Sequence, residues 1–207
     1  MTPDRVAQAY SSLADRYIEL LGSVDSVHPD DLRLIDDHLG RLTGPVLDLG
    51  CGPGHLSGFL DLTGSEVTGI DLVPEFIAHA RQSYPAVRFE QGSLAELTRP
   101  DASVAGVLAW FSLIHLDPGE LNGVLAEIHR VLAPGGALVV GFFDGPACEP
   151  FDHRVVEAHR WPAEELARRF AEIGFHEVER VHRPRDGERR PYAAIAARAV
   201  ERRQPGR

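Results

Sequence analysis

The chain contains no lysine; all 21 of its Lys+Arg positions are arginine. Schiff-base chemistry and a lysine general base are therefore excluded. Cysteine is scarce, with only Cys51 and Cys148. Two isolated cysteines build no disulfide framework, and without a CxxC pair a structural zinc is not expected. No apolar run approaches the roughly 20 residues that span a bilayer. The opening MTPDRVAQAYSSLADRY is polar and amphipathic and lacks the apolar core of a secretory leader. A cytoplasmic protein with no membrane partner is expected. Positive charge is also short, with a formal net charge of −10. Such a field repels phosphate backbones, so no nucleic-acid partner is expected.

What is present suits one α/β domain. The 207 residues are 43% hydrophobic and 25% charged, ordinary values for a globular chain with a full core. Residues 3–21 place Val6, Tyr10, Leu13, Tyr17, Leu20 and Leu21 at helical spacing, and a second helix is expected over 29–40. Short apolar strands are expected at 45–50, 66–71, 87–92, 103–110 and 137–144. Helices alternate with them through HLSGFLDL, VPEFIAHARQSY and PGELNGVLAEIHRVLA, the last stopping at Pro134-Gly135-Gly136. PAEELARRFAEIGF reads as a helix capped by Gly174, and HEVERVHR with YAAIAARA as a closing hairpin. The arginines of its turn region (Arg180, Arg183, Arg185, Arg189 and Arg190) alternate with Glu179, Asp186 and Glu188, which reads as a solvated turn. Alternating strands and helices predict an open, mostly parallel sheet covered on both faces. Ligands bind such sheets at the carboxyl ends of the strands. The expected division is a helical cap (1–40), a core (41–144), an insert over the substrate (145–162) and a closing helix and hairpin (163–207).

Two strand ends carry the chemistry. In VLDLGCGPGHL, Gly50, Gly52 and Gly54 permit a tight turn and close backbone approach to a ligand. Asp48 sits inside this apolar strand, where a carboxylate needs a partner, either the glycine loop or a cationic group. An ordinary strand-to-helix turn would also explain the glycines. One βα unit later, Asp71 ends VTGID, where a carboxylate can accept both ribose hydroxyl protons or cap the next helix. The pair favours ribose. The G-x-G-x-x-G spacing of dinucleotide sites is not met, because His55 holds the sixth position.

VLDLGCGPGHLSGFL, TGIDLVPEFIAHAR, GVLAWFSLIHL and HRVLAPGGALVVGFF, in this order, resemble the class I S-adenosylmethionine-dependent methyltransferases. LAWFSLIHLDPGEL and GFFDGPACEPFDHRV resemble a branch of small bacterial members acting on small molecules. The resemblance implies a Rossmann-like three-layer sandwich. Its seven-stranded, mostly parallel sheet has the order 3-2-1-4-5-7-6, with the last strand antiparallel. It implies S-adenosyl-L-methionine as cofactor and S-adenosyl-L-homocysteine as product. Gly50, Cys51 and Gly52 would touch the methionyl part, Asp71 the ribose and Leu72 the adenine. Ser93 stands where many members carry an aspartate for the adenine amino group, leaving more of that role to Leu94. The backbone at Ala109 and Trp110 would meet the cofactor's ammonium. Tyr17, with Tyr10 and Arg16, would close over the methionine end. The partner implied is a small-molecule methyl acceptor, and the chain itself is expected as a monomer or homodimer.

Transfer needs a nucleophile in line with the methyl and, for a hydroxyl acceptor, a base. His115, just past the fourth strand, is the candidate base, with an orienting or structural role as its alternative. His153 and His159 in the insert are second candidates. Phe143, His153 and Trp161, with Asp144 and Phe151, suit an aromatic or amphipathic acceptor; a surface loop with its own hydrophobic cluster is the plain alternative. Trp110 occupies the place of an acidic metal ligand, so no metal is expected. An NAD(P)-dependent oxidoreductase and a non-catalytic cofactor-binding domain remain as competing readings.

Overall fold

The structure is a computed structural model describing residues 2–187 and 189–200. Glu188 of the expected hairpin turn and residues 201–207 of the expected closing segment lie outside the described residues. Along the chain run α1 (Pro3–Ser11), α2 (Ala14–Leu21), α3 (Pro29–Leu39), β1 (Pro45–Leu49), α4 (His55–Leu62), β2 (Glu66–Asp71), α5 (Pro74–Ser83) and β3 (Arg88–Gln91). They are followed by β4 (Val104–Trp110), α6 (Leu121–Val131), β5 (Leu132–Phe143), β6 (Glu149–Phe151), β7 (Ala158–Arg160), α7 (Ala163–Ile173), β8 (Phe175–Arg183) and β9 (Tyr192–Ala199).

Seven strands form one sheet in the order β3-β2-β1-β4-β5-β9-β8. β1 to β5 pair in parallel, and β9 runs antiparallel to both β5 and β8. Numbered within this sheet alone, the order is the expected 3-2-1-4-5-7-6 with the last strand reversed. Alternation along the strands sorts side chains onto two faces. Leu47, Val107, Leu138, Val140 and Ile195 pack under α6 and α7 with Leu125, Ile128 and Phe170. Val46, Leu108, Val139 and Ala194 pack under α3, α4 and α5 with Leu34, Leu60 and Ile77. Each large side chain buried this fully contributes about 1.5–3 kcal/mol. Both faces are covered, so the strands read as continuous apolar runs.

Helix ends follow their sequence signals. Pro29 and Pro74 sit in the first turns of α3 and α5, where a missing N–H costs nothing. His28 caps α3 by accepting from the Asp30 amide, and α7 stops at Gly174. One carboxylate of α3 ties distant parts of the chain together. Asp31 is fully buried, and Oδ1 accepts from Arg183 Nη2 (2.9 Å) and Nε (3.1 Å) while Oδ2 accepts from the Tyr192 hydroxyl (2.6 Å). Satisfied on both oxygens, this carboxylate is affordable inside the protein; stripped of its partners it would cost several kcal/mol, about 3–5.

Four expectations are corrected. The helix expected over 3–21 is two, broken at Ser12–Leu13. β5 begins at Leu132, not 137: Val104 pairs with Leu132 and Gly106 with Ala137, so Pro134–Gly136 bulge from a strand already under way. The insert carries a small hairpin, β6 against β7. The arginines at the closing hairpin are not all a solvated turn. Arg183 holds Asp31, and Arg180 on β8 pairs with Glu164 and Glu177, each at 2.7 Å.

Candidate active site

A cleft opens where β1, β2 and β4 end, under α1 and α2. Its empty volume is about 600 Å³, part of it open to solvent. Gly50, Gly52 and Asp71 form its floor, Leu72, Gly92 and Leu94 one side, and Trp110, Phe111, Ser112 and His115 the far wall. Tyr10, Tyr17 and Phe76 roof it.

The floor is built from backbone. Gly50 has φ +70°, and a Cβ there would lie 2.3 Å from Ser112 Cβ. Only glycine fits that conformation and that space. Gly52, at φ +53°, faces nothing nearer than the Tyr17 ring at 3.9 Å. It therefore leaves an open place at the centre of the floor. Asp71 fixes this loop: Oδ2 accepts from the Gly52 amide and Oδ1 from the Val73 amide, both at 2.8 Å. Burial raises the Asp71 pKa, and these amide bonds oppose the rise. A carboxylate has about four lone-pair sites, more than these amides occupy, so Asp71 can still accept from ligand hydroxyls. Asp48 lies beneath the floor rather than on it. It is buried and accepts from the Ser57 hydroxyl at 2.6 Å, and burial pushes its pKa up to about 7. Neither the glycine loop nor a cationic group, the two partners expected for it, is the one found; its partner is Ser57 of the following helix α4.

The far wall is built from side chains of distant segments. Phe111 has φ +54°, rare outside glycine, which turns the chain sharply at the end of β4. Its amide donates to the Gly141 carbonyl at 3.0 Å. Past this bend His115 is buried with both ring nitrogens engaged. Nδ1 lies 2.9 Å from the Glu157 carbonyl and Nε2 2.8 Å from the Tyr10 hydroxyl. A carbonyl can only accept, so Nδ1 carries the proton. Burial lowers the His115 pKa, which keeps the ring neutral, and raises that of Tyr10, which keeps the phenol protonated. Tyr10 therefore donates to the Nε2 lone pair. The Ser112 hydroxyl is buried without a protein partner at the junction of floor and wall. An orphan of this kind at a cleft is a place for a ligand atom.

The roof is thin. Ala14 is the one buried residue among the described residues of α1 and α2. The two helices hold on through Tyr10, Tyr17 and Phe76, with ring centroids 5.2–6.1 Å apart.

The cleft thus gathers Tyr17, Gly50, Gly52, Asp71, Leu72, Leu94, Trp110 and His115 from the residues singled out in the sequence. Cys51 and Ala109 are buried behind it, their side chains part of the core. Ser93 sits in a turn, accepting from the Ala95 amide at 3.1 Å, and Arg16 is exposed. Trp161 is core rather than acceptor wall: it is buried with Arg169 stacked at 4.7 Å. His159 is buried in β7. His153 packs 5.5 Å from His115 and 5.7 Å from Phe143, and burial takes its pKa down to about 4. Phe143 in turn lies 5.0 Å from Phe111. Sequence reasoning missed the Tyr10–His115 bond, the Ser112 orphan and the turned backbone of Phe111. Only the first had a signal, a tyrosine on the inward face of the first helix.

The donor set suits a nucleoside bearing a charged amino-acid tail. The Asp71 carboxylate borders the volume, apolar Leu72 and Leu94 offer a surface for a flat base, and the glycine floor admits close backbone contact. Comparison with known proteins agrees. A family model described as a methyltransferase domain matches residues 46–136. The chain is 34% identical over 153 residues to a demethylmenaquinone methyltransferase of Beutenbergia cavernae, covering 72% of this chain and 62% of that one. It is 34% identical over 133 residues to a malonyl-[acyl-carrier protein] O-methyltransferase of Salmonella typhimurium, covering 64% and 51%. The chain spans 36–62% of the length of such curated relatives. Among solved structures, 1,6-didemethyltoxoflavin-N1-methyltransferase of Burkholderia thailandensis, with 1,6-didemethyltoxoflavin and S-adenosylhomocysteine bound, superimposes with a TM-score of 0.77. It is 25% identical, covering 97% of this chain and 92% of that one. Strand order, glycine floor and matched stretch agree: residues 46–136 match a methyltransferase domain, and over most of its length the chain is similar in fold to S-adenosylmethionine-dependent methyltransferases.

Proposed function

We propose that the protein moves a methyl group from S-adenosyl-L-methionine to an oxygen or nitrogen of a small molecule. The observation that carries this reading is one cleft with a nucleoside floor at one end and a neutral histidine with its tyrosine at the other. When bound, the cofactor supplies a methyl group on a positively charged sulfur, an electrophile that needs no further activation.

The protein's own residues do the rest. Asp71 would accept from the ribose hydroxyls, and Leu72 and Leu94 would flank the base. Gly50 and Gly52 would let the backbone approach the methionyl part, and the unpartnered Ser112 hydroxyl would be available to one of its polar atoms. Tyr17 covers this end and excludes water, and the lightly packed roof of α1 and α2 opens to admit ligands. An acceptor hydroxyl placed against the Tyr10 oxygen gives it a proton as Tyr10 passes its own to His115 Nε2. The Glu157 carbonyl holds the Nδ1 proton, so Nε2 is the nitrogen that takes up charge. Phe111, Phe143 and His153 form the apolar side on which the acceptor rests.

The competing oxidoreductase reading is tested by thermal melting with S-adenosylhomocysteine or NADPH. A ligand that binds only the native state raises the midpoint. The expected result is a rise with S-adenosylhomocysteine and none with NADPH; the reverse overturns the proposal.

A further inference from the structure

A second, smaller cleft of about 290 Å³ lies beyond Phe143, between the β6–β7 hairpin and the turn that joins β8 to β9. Among the described residues its walls carry three arginines, Arg160, Arg185 and Arg190, against a single carboxylate, Asp144. In a chain of net charge −10, three guanidiniums around one cleft reverse the local sign. Asp144 does not answer them. Its oxygens take His182 Nδ1 at 3.2 Å and the Gly145 amide at 3.0 Å. Arg160 reaches Glu149 only at 3.7 Å, across a half-exposed pair of little worth. Arg190 donates to the Asp152 carbonyl, a neutral acceptor, and forms no ion pair among the described residues.

The arginines are positioned as well as plentiful. The Arg160 and Arg190 guanidiniums lie 5.0 Å and 4.9 Å from the centroid of the same Phe151 ring. Stacking on this ring holds both guanidiniums at the cleft, where their like charges favour an anionic ligand. Planar guanidinium forks suit carboxylate or phosphate oxygens. Phe143 and Phe151 supply apolar floor for the carbon skeleton behind such a group.

This cleft adjoins the catalytic one through a single aromatic layer. Phe143 touches Phe111 of the far wall at 5.0 Å, and His153 packs against Phe143, Phe151 and His115 together. Its volume suits part of a molecule rather than a whole one. We propose that the arginine cleft holds the anionic end, a carboxylate or phosphate, of the methyl acceptor whose reacting atom lies at Tyr10 and His115. The proposal rests on the methyltransferase reading and narrows it to anionic acceptors with an apolar body.

The test uses the full chain saturated with S-adenosylhomocysteine. Benzoate, phenyl phosphate and neutral benzamide are titrated by calorimetry and by NMR of the histidine rings. At least one anion is expected to bind about tenfold or more tighter than benzamide, more so at low salt, and to shift the His153 resonances. A preference for benzoate assigns a carboxylic acid acceptor; a preference for phenyl phosphate assigns a phosphate ester. In the double variant R185Q/R190Q, both positions being exposed, anion affinity is expected to fall about tenfold with S-adenosylhomocysteine affinity unchanged. Equal binding of anions and benzamide, no anion binding, anion binding that leaves His153 fixed, or an unaffected double variant each overturns the subsite. Failure of S-adenosylhomocysteine to bind wild type would instead overturn the methyltransferase reading.

Discussion

The floor and the far wall of the cleft are made by opposite means. The floor is local and largely backbone: the Gly52 amide and its carboxylate partner Asp71 are 19 residues apart. The far wall is assembled from side chains with little local logic. His115 meets Tyr10 across 105 residues and the Glu157 carbonyl across 42. A backbone floor presents the same atoms whatever the acceptor, which suits a ligand common to a whole family. A wall of borrowed side chains can be rebuilt for each acceptor without disturbing the floor. Binding of the cofactor and handling of the proton should therefore separate under mutation.

The strongest way to break that separation is His115→Ala. Methyl transfer from labelled cofactor, to an acceptor found by screening hydroxylated and amine compounds, should fall about 10²–10⁴-fold. Affinity for S-adenosylhomocysteine should stay within about twofold by calorimetry; matched losses would make His115 structural. Asp71→Ala is the converse. Loss of two hydroxyl bonds to a charged group predicts about 10- to 100-fold weaker S-adenosylhomocysteine binding, with the His115 titration unmoved. Unchanged affinity would remove the ribose assignment. Tyr10→Phe sharpens the far wall. It keeps the ring but removes the donor to Nε2, so turnover should drop about tenfold while the Nε2 resonance of His115, read by NMR, shifts as it loses its partner. A resonance that stays put would mean that the hydroxyl does not act on the ring.

The smallest effect concerns pH. Asp48, with a native pKa raised to about 7, keeps its proton after the unfolded chain has lost it. It contributes stability at acid pH that is lost as pH rises from about 4 to about 7. His153 is held down to about 4, so the unfolded chain takes up its proton first and stability is lost as pH falls from about 6.5 to about 4. His55, at the start of α4 and also lowered to about 4 by burial, acts in the same direction as His153. Urea midpoints should show D48N gaining on wild type above pH 7. H153Q should retain more of its stability below pH 6, His55 keeping part of the acid loss in both proteins. Parallel curves for the variants and wild type would deny both assignments.

The same contrast explains what could be read from the sequence. Strand order was legible only through the family resemblance, whereas the glycine turn and Asp71 were legible because both rest on neighbours within one βα unit. Asp48 was legible as a buried carboxylate, but not the identity of its partner Ser57, one turn into α4. Trp161 misled, since an aromatic in an insert reads equally well as acceptor wall or core; the packing of Arg169 over it decides for core. The break at Ser12–Leu13 carries no proline or glycine and was invisible. Pro134–Gly136 looked like a stop yet lies inside β5, because the pairing of Val104 with Leu132 starts the strand before them. The arginines of the closing hairpin seemed neutralised by alternation, a property of the chain in one dimension. In space Arg183 pairs with α3, Arg180 with Glu164 and Glu177, and Arg185 and Arg190 join Arg160 at a cleft.

Asp31 also sets an order of events in time. Its partners Arg183 and Tyr192 lie 152 and 161 residues further along. Until that closing hairpin exists, the carboxylate has no acceptable place inside, and α3 has reason to stay hydrated. During synthesis α3 is therefore expected to seat fully only once the closing hairpin has been made. A chain stopped short of Tyr192 would keep its glycine floor but lack the clasp for α3, and a truncation series followed by limited proteolysis would show α3 becoming protected only with β9 in place.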